Sequence, residues 1–130
     1  MKQKTIFLCV LNQGEIRTDL AQVVNMLIQN DSYRIQLSYP HAKPITNNRN
    51  TIVQKFLATD CDYLMMVDAD IVPPLNVLNL ADFDKDIITP IMFVKQKGMM
   101  IPLFFKRNKD GLYDAGDYLN LVGLQEVSAT

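Results

Sequence analysis

The chain has 130 residues, 48% of them hydrophobic, with a formal charge of −1, a single histidine and two cysteines. That length suits one domain with a real core. The near-zero charge excludes a broad electrostatic surface for nucleic acid or anionic lipid, and no apolar run is long enough to span a bilayer. The run Ile6 to Leu11 after Met1-Lys2-Gln3-Lys4 is too short for a signal peptide and lacks a small-residue cleavage site. A cytoplasmic protein is expected, with Cys9 and Cys61 as buried reduced thiols.

Thr5 to Leu11 reads as a first strand, closed by the turn residues Asn12-Gln13-Gly14. Leu20, Val23, Val24, Leu27 and Ile28 then follow the spacing of a helix with one buried face, with Thr18 as its cap and Asn30-Asp31-Ser32 as its stop. Tyr33 to Tyr39 alternates as a second strand. Pro40 to Asn48 reads as a loop leading into a helix capped by Asn47 or Asn48, whose buried face is Ile52, Val53, Phe56 and Leu57. Arg49 falls in the first turn of that helix, where a cation gains nothing from the macrodipole, so its charge answers a bound anion or a nearby carboxylate, or is simply solvated.

Tyr63 to Val67 is the third strand, uncharged and without turn residues, which predicts burial on both faces. It ends in Asp68-Ala69-Asp70 and is closed by Pro73-Pro74, which cannot continue a hydrogen-bonded ladder. Side chains two apart in an extended segment share a face, so Asp68 and Asp70 are expected to converge at the carboxyl end of the strand. Open α/β sheets place their ligands there. Two close anions favour a hard cation such as Mg²⁺ or Mn²⁺, which takes carboxylate oxygens and leaves positions for phosphates. The competing reading is a pair of solvated turn formers.

Beyond the prolines, Leu75 to Leu80 reads as a short helical piece and Asp86 to Val94 as a strand complicated by Pro90. Gly98-Met99-Met100 reads as a surface turn with its methionines tucked inward. Pro102 to Lys106 and Leu112-Tyr113 flank Arg107 to Gly111 as a hairpin. Leu124 to Ala129 is a last strand candidate, and a chain ending on an apparent core strand reads as one domain, 1–130, incomplete at its carboxyl end. Asp114 and Asp117 are expected to be solvated loop residues, and His41 an ordinary one; a single histidine makes a catalytic triad or multi-histidine zinc site implausible.

Strand, helix, strand, helix, strand predicts a parallel α/β sheet with right-handed crossovers, followed by an antiparallel half. Three ordered pieces also resemble the nucleotide-binding half of a GT-A glycosyltransferase of the family-2-like kind: Leu11-Asn12-Gln13-Gly14 ending the first strand, the helix start Asn48-Arg49-Asn50, and Asp62 to Asp70 with prolines following. The resemblance is clearest from Thr5 to about Phe93. It implies a Rossmann-like, mixed but mostly parallel sheet flanked by helices, with a hairpin in the carboxyl-terminal half. It also implies that Asp70 ligates Mn²⁺ or Mg²⁺, that Asp68 holds the ribose or supports the metal, and that Arg49, Asn12 and Gln13 lie near the nucleotide. The donor would be a UDP- or GDP-sugar and the acceptor is open. No general base is assigned, because the family supplies it from a segment beyond the last strand. A noncatalytic nucleotide-sugar module is the main alternative, and an uncovered sheet edge leaves room for a homo-oligomer. An aspartyl phosphohydrolase is weaker, since its motif lies on a first strand, and a nucleic-acid enzyme recruiting Glu15 lacks a basic stripe.

Overall fold

Seven residues without a charge build the central strand of the parallel sheet. In the computed structural model, which describes residues 2–41, 44–102 and 106–114, β1 (Thr5–Leu11) has every side chain from Ile6 to Leu11 buried. It is flanked by β2 (Arg34–Ser38) and β3 (Tyr63–Asp68) in a parallel three-stranded sheet of order β2-β1-β3. Alternation along β1 then serves two cores. Ile6, Leu8 and Val10 pack with Leu20, Val24 and Leu27 of α1 (Thr18–Ile28), while Phe7, Cys9 and Leu11 pack with Ile52 of α2 (Ile45–Leu57). The helices therefore lie on opposite faces of the sheet. Each fully buried aliphatic side chain here contributes about 1.5–3 kcal/mol, so β1 anchors both layers. Cys9 and Cys61 are both free; Cys9 is sealed in the second core, where burial pushes its thiol up to about 11.

Several expected boundaries move. β3 is an edge strand of this sheet among the described residues; Tyr63, Met65 and Val67 pack on the first core and Leu64 on the second, but only Val67 is buried and Met66 is exposed, so the cover its apolar run predicts is partial. α2 starts at Ile45 behind Pro44, whose fixed φ of −68° suits a helix entry, rather than at Asn47 or Asn48. Its inward stripe is consequently Asn48, Ile52 and Phe56, and the predicted Val53 and Leu57 face outward, Leu57 at 74% exposure. In α1 the cap position is Arg17, not Thr18, and Ile28 is exposed.

A 3₁₀ segment, Leu75–Phe83, packs Val77, Leu78 and Ala81 into the first core. It is latched to the amino ends of the strands. Lys4 Nζ donates to Ala81 O (2.7 Å) and Asp84 Oδ1 (2.8 Å), Tyr63 Oη donates to Asp84 Oδ1 (2.5 Å), and Tyr33 Oη donates to Asp82 Oδ2 (2.7 Å).

The chain divides into two compact units, Met1–Asp86 and Ile87–Thr130, at a place where the sequence carries no linker. In the second unit the strand expected over Asp86 to Val94 begins only at Phe93, since Pro90 offers no N–H to a ladder. β4 (Phe93–Gln96) pairs antiparallel with β5 (Met99–Pro102). The turn is Lys97-Gly98, both at positive φ, which matches the twist of a tight hairpin. Met99 and Met100 are exposed strand residues rather than inward-tucked turn residues. The predicted second hairpin forms between β6 (Lys106–Arg107) and β7 (Tyr113–Asp114), where Asn108 Oδ1 accepts from the N–H groups of Asp110 and Leu112. Asp114 therefore belongs to a strand, while Asp117 and the candidate strand Leu124 to Ala129 lie outside the described residues. No helix among the described residues is long and apolar enough to cross a membrane.

Candidate functional site

From β1 the chain crosses to β2 on one side and then returns past β1 to form β3 on the other. The loops leaving the carboxyl ends of β1 and β3 lead to α1 and to the 3₁₀ segment, which both pack on the first core. Open α/β sheets place ligands outside the carboxyl ends of their strands, where these two loops begin. Here Leu11 pairs in register with Asp68, so Asn12 and Ala69 start the two loops side by side. A cleft of about 990 Å³ opens between them, bordered by the first residues of both helices.

The β1 loop is built by one amide. Asn12 Oδ1 accepts the Gly14 N–H (2.9 Å), a local turn that puts Gly14 at φ 112°, where a side chain would be strained. Asn12 Nδ2 donates inward to Val10 O (3.1 Å) and Pro40 O (3.2 Å). From α2, Asn48 Nδ2 donates to the same Pro40 carbonyl at 3.1 Å. Two buried amides on different elements thus tie the ends of β1, β2 and α2 to one carbonyl oxygen. Asn48 is 2% exposed, and its Oδ1 has no hydrogen-bond partner among the described residues. Asn12 and Asn48 both line the cleft, as does the exposed Gln13.

Asp68 and Asp70 line the same cleft. The predicted strand alternation does not bring them there. β3 ends at Asp68, and Ala69-Asp70 is a turn closed by the Ile71 N–H on Asp68 O at 3.1 Å. The two carboxylates reach one cleft by a turn instead of a pleat. Arg49 Nη2 lies 3.6 Å from Asp68 Oδ1, both side chains being about half exposed. Because α2 starts early, Arg49 sits in its second turn, not its first. Asp68 and Asp70 thus line the same cleft as Asn12 and Gln13, and Arg49, outside the lining, stands beside it through Asp68.

Arg17 also lines the cleft, and the sequence reading passes over it. Its signal was an arginine between a strand-ending turn and a helix start. Arg17 Nε donates to Asp19 Oδ1 at 3.0 Å, and Nη2 donates closely to Asp19 Oδ2. That pair holds the Asp19 carboxyl below the usual range and raises Arg17, first through the hydrogen bonds and Asp19's charge and then, more weakly, through Asp70.

No group of three or more histidine, cysteine, aspartate or glutamate ligands occurs among the described residues. The donor set on the wall is two carboxylates open to solvent, without nitrogen or sulfur. It fits Mg²⁺ or Mn²⁺, which bind through one or two carboxylates and complete their shell with water and substrate phosphates, and it does not fit a closed structural zinc site. Compared with known proteins, the chain matches no family, no curated protein and no solved structure.

Proposed function

We propose that this chain binds a nucleoside-diphosphate sugar in the cleft between β1 and β3 and belongs to a glycosyltransferase. The observation that carries the reading is that Asp68 and Asp70 line one cleft of ligand size at the carboxyl ends of parallel strands, with Arg49 3.6 Å from Asp68. Asp70 and Asp68 would hold Mn²⁺ or Mg²⁺, and the bound ion would supply charge neutralisation for the diphosphate leaving group. The chain's own residues do the rest. Arg49 stands where it offers N–H donors beside the carboxylates, and Asn12, through its local turn, shapes the wall against which Gln13 and a nucleoside would lie. The apolar part of the same cleft, including Leu11, Pro44 and Ile45, gives a flat base or ribose a surface to bury.

Calorimetric titration of UDP and GDP, each with and without Mn²⁺, tests this on the wild type and Asp70→Ala. Binding of one nucleotide that depends on Mn²⁺ and weakens more than about tenfold in the variant is expected, since a lost charged contact is worth at least that much. Absence of binding under every condition overturns the reading. Release of free sugar from the matching donor by the wild type separates a transferase from a module that only binds.

A further inference from the structure

A guanidinium carries five N–H donors in a rigid plane, enough to serve two carboxylate-like partners on two edges. Asp19 takes only one edge of Arg17, through Nε and Nη2. The other edge, Nη1 with the second Nη2 hydrogen, has no partner among the described residues, and the side chain is 60% exposed in the cleft that Asp68 and Asp70 line. We propose that Arg17 binds the distal phosphate of the diphosphate, presenting to two of its oxygens the guanidinium edge that Asp19 leaves open.

The inference rests on the nucleotide reading above and adds to it a residue and the ligand group it takes. The geometry favours a phosphate for three reasons. A guanidinium edge matches two phosphate oxygens with parallel N–H bonds. Asp19 fixes the plane of the fork beforehand, so little freedom remains to be lost on binding. Arg17 also occupies the entry position of α1, which has no side-chain cap, so the positive end of that helix lies beside the same anion. Glu15 and Asp19 offset the positive charge nearby, which makes the contact short-ranged and directional. It therefore counts phosphates within the site and does not draw anions from a distance.

The test compares wild type, Arg17→Ala and Arg17→Lys with UDP, UMP, GDP, GMP and inorganic pyrophosphate, all with Mn²⁺, by calorimetry. Arg17→Ala is expected to weaken the preferred diphosphate and pyrophosphate about 10- to 100-fold and to change the matching monophosphate less than about threefold. Lysine restores only part of the loss, because a point charge does not reproduce the two-pronged contact. Equal weakening of diphosphate and monophosphate, or no change in either, overturns the proposal and leaves the pair with Asp19 as a support of the helix entry. If the wild type binds pyrophosphate through Arg17 but no nucleotide, the nucleotide reading fails and the phosphate contact stands. Binding of neither overturns both.

Discussion

Arg49 and Asp68 are 19 positions apart on α2 and β3, yet Arg49 Nη2 stands 3.6 Å from Asp68 Oδ1 at the rim of the cleft. The spacing is that of an ion pair slightly beyond hydrogen-bond length, with both groups in contact with water. Pairs of this kind contribute less than about 1 kcal/mol to stability. Their effect is on what the carboxylate can bind, because a cation at Asp68 competes with the guanidinium.

Arg49→Met separates these effects. The thermal midpoint is expected to stay within a few degrees of the wild type, since the pair is weak. Mn²⁺ affinity measured without nucleotide should rise severalfold as the competing charge is removed, while affinity for the metal-loaded nucleotide should fall. Electron paramagnetic resonance of free Mn²⁺ reads the first and calorimetry the second. A fall in both would mean that Arg49 organises the wall instead of competing for it.

Asn48→Asp probes the shared carbonyl. An ionised carboxylate there would face the Pro40 oxygen without the amide hydrogen and without water, so the loss of stability at neutral pH is expected to be about 3 kcal/mol or more. Burial raises the folded pKa of the new carboxyl above its unfolded value near 3.9, and the protonated acid can donate to Pro40 as the amide does. The variant's deficit should therefore be smallest near about pH 4 and grow as pH rises through the raised folded value. Urea unfolding across pH 4 to 8 measures it; a pH-independent deficit would show that charge plays no part.

The stripe of α2 gives a contrast between neighbouring apolar residues. Ile52 is fully buried against Phe7, Cys9 and Leu11, and Ile52→Ala is expected to cost about 2–5 kcal/mol through lost transfer energy and the cavity left behind. Leu57→Ala, at a site 74% exposed, should stay within about 0.5 kcal/mol. Similar losses in denaturant unfolding would contradict the observed phase of the helix.

The 3₁₀ latch is expected to respond to acid. Asp84 is held below the usual carboxylate range by its hydrogen bonds from Lys4 and then from Tyr63, while Lys4 is raised above 10.5, chiefly by the same bond to Asp84. A depressed carboxyl contributes stability that is present above its unfolded pKa and is lost as pH falls through its folded value. The stabilising part from Lys4 is lost at the other extreme, as pH rises through its raised value. Asp84→Asn suits the left-handed backbone at φ 48° and removes the charge. Its stability should fall less steeply than that of the wild type below about pH 4, where aspartate titrates. Parallel acid unfolding curves would remove the latch from the acid response.

The sequence by itself determined the order of strands and helices in the first unit, because burial of β1, α1 and α2 against one another needs local periodicity that can be counted residue by residue. It also marked Asp68, Asp70, Arg49, Asn12 and Gln13 as the polar residues at element ends, where such folds carry chemistry. Tertiary structure decided what periodicity cannot express. The early start of α2 behind Pro44 moved Arg49 into the second turn and turned Leu57 outward, since helix phase follows from where the chain enters. The turn at Ala69-Asp70 replaced the expected pleat, and the pairing of β1 with β3 put the cleft between strand ends that are distant in sequence. Asn48 became a buried anchor only because the Pro40 carbonyl stands opposite it, and Arg17 joined the site only because it lines the same cleft as Asp68 and Asp70. Each of these depends on residues distant in the chain meeting in space, and no local pattern encodes such meetings.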